Sequence, residues 1–256
     1  MTRPEPKPPA TAAPAADAHS GVMDAGYAQD RVRRPHLLFR LQSRALVAAG
    51  CYRKFAPHAN PPRVLDMGAA EGRTMAEVHR LLGASESIGI EFAQDLLDAA
   101  GHLPQGCSLH RGDVTVPHAA VTPGTFDLVT ALAVLEHLDD PAAFGRQAFA
   151  ALRPGGVFVA SCPSPRWDKV SGSVGLHKDE HHTCAFDRER FTQLARGAGL
   201  EPLAYRRFMF APVGFLPYLG LRVNAKFAAR VDAVIQPIPL MGLLMVNQVF
   251  AARRPV

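Results

Sequence analysis

Cysteine is scarce in this chain and follows no pairing pattern. The four residues, Cys51, Cys107, Cys162 and Cys184, show no C-x-x-C spacing. They read as reduced thiols, which excludes a disulfide framework. The opening stretch MTRPEPKPPATAAPAADAHS lacks the apolar core of a signal peptide. No apolar run is long and clean enough to span a bilayer. The expectation is a cytoplasmic protein. Charge of one sign is in no large excess: 28 Lys and Arg face 23 Asp and Glu, a net of +5. That balance fits ordinary surface charge, and no nucleic-acid partner is expected. Arginines do gather near the two ends, at Arg31, Arg33, Arg34, Arg40 and Arg44 and again at Arg206, Arg207, Arg222, Arg230, Arg253 and Arg254. Such clusters would suit an anionic substrate or an anionic membrane surface.

What is present suffices for a full core. Over 256 residues, a 48% hydrophobic and 20% charged composition points to one α/β domain with additions. Residues 1–28 are Pro/Ala-rich, lack apolar periodicity and read as a disordered tail. The domain is expected over 29–256. Residues 29–58 look helical, with Leu37, Leu38, Leu41, Ala45, Leu46 and Ala49 on one stripe and arginines opposite.

From 62 to 162 strands alternate with helices. The strands are expected at Arg63–Asp66, Ser87–Ile90, Ser108–Arg111, Phe126–Ala131 and Gly156–Cys162. Such alternation implies right-handed crossovers and a mainly parallel sheet, with a ligand at the carboxyl ends of its strands. Pro202–Met209 and Leu244–Ala251 complete seven strands. A helix over Asp187–Gly197 has Asp187 as its N-cap and glycines as its stop. Two stretches break the rhythm and are expected as cap or lid insertions. Residues 163–185 are polar and hold the only tryptophan; residues 210–243 are apolar and proline-broken, with a helix over Val223–Ile235. For 210–243 two other readings stay open: a subdomain covering a sheet edge, and a patch resting on a membrane.

The densest signal is Arg63-Val64-Leu65-Asp66-Met67-Gly68-Ala69-Ala70-Glu71-Gly72. An apolar strand ends in an acid and enters a turn of small residues, where a β-carbon would keep the backbone from a ligand. The turn opens a helix, expected over Met75–Leu82, whose N-terminal amides face that ligand. A dinucleotide loop would read G-x-G-x-x-G. Here the acid comes two residues before the first glycine, where it suits an ammonium group better than a pyrophosphate.

This spacing resembles motif I of the class I S-adenosylmethionine (SAM) dependent methyltransferases, with Ala70 where glycine is commonest. Further blocks follow in order over about residues 62–165: Ser87-Ile88-Gly89-Ile90-Glu91, His110-Arg111-Gly112-Asp113-Val114, Phe126 to Pro141, and Leu152-Arg153-Pro154-Gly155-Gly156 to Pro163. They are similar to the branch that includes ubiquinone- and menaquinone-biosynthesis enzymes. The resemblance implies a Rossmann-like seven-stranded sheet, mainly parallel with an antiparallel last strand, helices on both faces and lid insertions. It implies SAM as cofactor, bound by Asp66, Gly68, Ala70, Gly72, Glu91, Asp113, Val114, Ala131 and Leu132. Glu91 would take the ribose hydroxyls and Asp113 the adenine amino group.

The expected reaction is methyl transfer to a small molecule, most simply to oxygen on an apolar, lipid-linked or glycan acceptor. Oxygen usually needs a base. His137, after Glu136, is one candidate; a conformational role at a helix start is the other reading. His181 and His182 are further candidates in the His177–Cys184 stretch, which also reads as a solvated loop. No metal is expected: Ala133 stands where the ubiquinone O-methyltransferases, which use a divalent ion, carry an additional acid. Peripheral contact with the inner face of a membrane through 210–243 is kept open. Two other functions compete: a catalytically silent SAM-binding scaffold, and a NAD-dependent reductase, which the turn's spacing disfavours.

Overall fold

A parallel strand inside a sheet must bury both faces, and Val64, Leu65, Asp66 and Met67 are all buried on β1 (Arg63–Met67). In the computed structural model, which describes residues 25–56, 60–167 and 185–256, β1 lies inside a seven-stranded sheet of order β3-β2-β1-β4-β5-β7-β6. The other strands are β2 (Glu86–Glu91), β3 (Cys107–Arg111), β4 (Phe126–Leu132), β5 (Leu152–Pro163), β6 (Glu201–Phe210) and β7 (Met245–Arg253). The pairs among β1 to β5 are parallel, and β7 runs antiparallel to both β5 and β6. The expected Rossmann-like architecture is present.

Alternation along the strands divides two cores. On one face Val129, Phe158 and Phe250 pack with Phe144 of α5 (Pro141–Ala151) and Phe191 of α6 (Arg188–Gly197). On the other, Leu128, Val157 and Val249 pack with Ala45 and Tyr52 of α2 (Pro35–Phe55) and Val78 of α3 (Arg73–Leu82). Asp187 caps α6 by accepting from the Arg190 amide at 2.9 Å.

The N-terminal helical region differs from the single element expected. It comprises α1 (Ala25–Arg33) and α2, so the first turn lies inside the stretch assigned to the tail. The break falls at Arg34, whose backbone is extended (φ −93, ψ 117). Pro35 lacks the amide to continue α1 and disfavours a helical residue before it.

Between β6 and β7 the chain forms α7 (Ala211–Phe215), a 3-10 turn (Leu216–Leu219), α8 (Ala225–Ile235) capped by Asn224, and a second 3-10 turn (Met241–Leu244). Asp232 of α8 accepts from the amides of Met209 and Phe210 at 2.7 and 2.8 Å, tying α8 to the point where the chain leaves β6. Met209 bends there with φ +67. No helix among the described residues is long and apolar enough to cross a membrane.

Candidate functional site

The sheet order reverses between β1 and β4, and open α/β sheets bind ligands at such a point, beyond the carboxyl ends of the strands. A cavity of about 340 Å³ lies there, within the range of small-molecule sites. The β1–α3 turn forms its floor. Gly68 and Ala69 donate to the Ile90 carbonyl at 2.9 and 3.1 Å. Gly68 has φ +84, and a β-carbon on it would stand 2.5 Å from Val134. Ala70, with φ +49, accepts a conformation that strains any L side chain. A second alanine facing the cavity, Ala133, shares it at φ +63.

Asp66, Glu91 and Asp113 reach the cavity from three successive strands. Burial pushes the Asp66 carboxyl up to about 7. The Thr130 hydroxyl, donating to Asp66 Oδ1 at 2.6 Å, and the positive Arg31 pull it back, while Glu91 adds to the rise. Glu91 takes one backbone amide on each oxygen: Ala70 on Oε2 at 2.8 Å and Ala93 on Oε1 at 2.9 Å. Each oxygen keeps lone pairs for a further donor. Asp113 accepts the amide and hydroxyl of Thr115 on Oδ1 alone.

The helical N-terminal region closes one side. Arg31 of α1 is buried, pairs with Glu71 at 2.9 Å and donates to Thr74. Ala28 of the same helix packs on Ala93 and on Leu96 of α4 (Gln94–Asp98). Arg44 of α2 is buried and also lines the cavity. Leu132, Ala133 and Val134 also line the cavity, as does His137, in the 3-10 turn Leu135–His137.

The cavity therefore brings together Asp66, Gly68, Ala70, Glu91, Asp113, Val114, Leu132 and His137. Two residues assigned to the cofactor lie outside its lining. Ala131 is fully buried in the core, because successive strand residues face opposite ways and it is the half-buried Leu132 that faces the cavity. Gly72 (φ +79) caps α3 and packs against Leu103 and Leu109, where a β-carbon would come within 3.0 Å of both. His181, His182 and Cys184 lie outside the described residues. Among those described, no group of three His, Cys, Asp or Glu could hold a metal ion. Trp167 and Tyr218 lie outside the cavity's lining: Tyr218 stacks on His36 with ring centroids 4.2 Å apart, and Trp167 donates to the Leu243 carbonyl at 3.0 Å.

Sequence reading left Arg31, Arg44, Thr130 and Ala133 without a place here. Thr130 leaves a trace as the lone hydroxyl in an apolar strand. Arg44 does too, three residues after Leu41 and four before Ala48, on the buried side of α2. Arg31 and Ala133 leave none, since one depends on where α1 docks and the other on a backbone angle.

The geometry agrees with known proteins. The methyltransferase domain family matches residues 36–205. The ubiquinone biosynthesis O-methyltransferase of Bordetella pertussis is 32% identical over 163 residues, covering 59% of this chain and 67% of that protein. Among solved structures, a SAM-dependent methyltransferase from Archaeoglobus fulgidus superposes with a TM-score of 0.57 at 17% identity, covering 82% of this chain and 94% of that one. The [4+2]-cyclase SpnF superposes with a TM-score of 0.55 at 18% identity, covering 81% and 80%. The fold therefore does not by itself determine the reaction. With the family match covering most of the chain, the chain belongs to the methyltransferase domain family, as a class I SAM-dependent methyltransferase of the ubiquinone-biosynthesis-like branch.

Proposed function

We propose that this methyltransferase acts on a hydroxyl oxygen of an apolar or lipid-linked small molecule, with His137 as the base. The observation that carries the reading is the position of His137 on the wall of the same cavity that Asp66, Glu91 and Asp113 line. The residues present fit SAM. The turn approaches closely because Gly68 has no β-carbon, and three acids meet a cofactor that carries ammonium, ribose hydroxyls and an adenine amino group. Bound SAM supplies a methyl group on a sulfonium, open to in-line displacement.

The chain's own groups do the rest. Asp66 holds the ammonium, Glu91 the ribose hydroxyls and Asp113 the adenine amino group. Arg31 and Arg44 give the cavity positive charge toward a carboxylate. His137 takes the acceptor's hydroxyl proton as the oxygen attacks. Ala133 offers no ligand to a metal, and His137 is the one histidine among the described residues that line the cavity. The protein works in the cytoplasm at the inner face of a membrane, which it touches through 210–243.

Isothermal titration with SAM, S-adenosylhomocysteine and NADH tests the cofactor. The first two should bind and NADH should not. Phenolic lipids with a free hydroxyl should then be methylated on oxygen. Failure of SAM to bind, or transfer to nitrogen or carbon only, would overturn the reading.

A further inference from the structure

Toward the far end of the sheet lies a second hollow, which shares no lining residue with the cofactor cavity. It is a groove of about 910 Å³ between α6 and the edge strand β6. In the sheet, β5 and β7 separate β6 from β4, whose end borders the cofactor cavity.

Local periodicity builds its walls. Arg188, Thr192 and Arg196 follow one another at steps of four on α6, so one stripe of the helix faces the groove while Phe191 and Ala195 enter the core. Tyr205 and Arg207 are two residues apart on β6 and share a face. Gln248 of β7 pairs with Arg207 across the strands and is fully buried. It donates to the carbonyls of Pro163 and Phe186 and accepts from the Tyr205 hydroxyl at 2.7 Å. These bonds tie the end of β5, the entry to α6 and the ring of Tyr205 into one floor, set before any ligand arrives.

Charge is unbalanced in the groove. Arg166, Arg188, Arg196 and Arg207 line it against Asp187 and Glu189, a net of +2. The two acids serve the helix: Asp187 accepts the Arg190 amide, and Glu189 accepts from the Gln193 side chain at 3.1 Å. None of the four arginines forms an ion pair among the described residues. Arg207 donates from Nη1 to the Gly242 carbonyl at 3.4 Å, yet its buried Nε meets no acceptor among them. A buried donor without an acceptor is costly, and an incoming anion would relieve it.

These features select a phosphate group. A carboxylate would neutralise half of the net charge, whereas a phosphate monoester carries about −1.5 to −2 near pH 7. Guanidinium forks also match phosphate oxygens in pairs. The groove is much larger than phosphate alone and has the size of a small-molecule site, so the group comes on a larger body. None of the exposed large hydrophobic side chains lines it, as seating on a lipid surface would require.

We propose that the groove between α6 and β6 is a second binding site, which takes a soluble small molecule by its phosphate group. The site stands independently of the cofactor assignment.

The test is titration calorimetry of the full chain with inorganic phosphate and glycerol 3-phosphate, with glycerol and acetate as controls. S-adenosylhomocysteine is added first, so that Arg31 and Arg44 of the cofactor cavity are covered. Its own heat is recorded separately; its failure to bind would count against the methyl-transfer reading and not against the groove. Both phosphates should bind at one site per chain, the controls should not, and salt should weaken binding. Arg188→Gln with Arg196→Gln should lower affinity by about tenfold or more. Arg207→Lys keeps the charge but loses the fork, and should lower it by about fivefold. Arg222→Gln with Arg230→Gln removes exposed cations outside the groove and should leave it unchanged. A Tm equal to wild type certifies that the variants fold. Absence of binding by both phosphates, undiminished binding after loss of Arg188 and Arg196, or an equal loss with Arg222 and Arg230 would overturn the site. Retention on vesicles holding phosphatidic acid that depends on Arg188 and Arg196, without binding of glycerol 3-phosphate, would assign the phosphate to a lipid headgroup and overturn the soluble ligand.

Discussion

The carboxyl of Asp66 and the hydroxyl of Thr130 meet at 2.6 Å between the adjacent strands β1 and β4, at the wall of the cofactor cavity. Burial raises the Asp66 pKa from 3.8 to about 7, so the folded ligand-free protein holds a proton that the unfolded chain releases. For this group, stability is greatest at low pH and falls as pH rises through that window, by a few kcal/mol in all. A cofactor ammonium favours the ionised form. SAM binding near neutral pH should therefore release a proton, and its apparent affinity should rise up to about pH 7. Titration calorimetry in two buffers of different ionisation enthalpy reads the release directly. Asp66→Asn should abolish it and weaken SAM by about tenfold or more. Identical heats in both buffers for the wild type would remove Asp66 from the cofactor site.

Glu91 does two things with one carboxylate. It pins the Ala70 and Ala93 amides and leaves lone pairs for ribose hydroxyls. Glu91→Ala should weaken SAM by about 1–3 kcal/mol through lost hydrogen bonds, and should lower Tm in the absence of ligand as well. A Tm shift with an unchanged Kd would make the residue purely structural.

Two of the turn's small residues, Gly68 and Ala70, should respond in opposite directions. Gly68→Ala puts a β-carbon 2.5 Å from Val134 at a positive φ, so destabilisation by about 2 kcal/mol or more is expected, with loss of SAM affinity. Ala70→Gly relieves a strained φ of +49. Part of that gain is offset by the greater freedom of glycine in the unfolded chain, leaving a gain of up to about 1 kcal/mol with SAM affinity retained. Urea unfolding of both variants checks the pair.

His137→Ala should separate chemistry from cofactor binding. As the base, the histidine contributes roughly 100- to 10,000-fold in kcat; the variant should lose that with its SAM affinity intact. An activity close to wild type would transfer the role to another group.

Much of the fold was legible because its signals are local. Apolar runs alternating with helical stretches marked the strands of the parallel sheet, and the observed strands lie close to those positions, except that β5 begins four residues earlier, at Leu152. The acid–glycine turn could be read because Asp66, Gly68, Ala70 and Glu91 are tied by short-range backbone geometry. The split of the first helix at Pro35 is also written locally, as a proline effect.

Other features exist only once distant segments pack. Ala131 and Leu132 are neighbours, yet the pleat buries one in the core and turns the other to the cavity. Arg31 gains its place from α1 docking over Glu71, forty residues away, and Thr130 from β4 lying beside β1. The apolar character of 210–243 was plain from composition. Which of its side chains would be used to cover β6 and which would be left facing outward with cations around them was decided by the docking of α8, because burial is a property of the assembled surface and not of the residue.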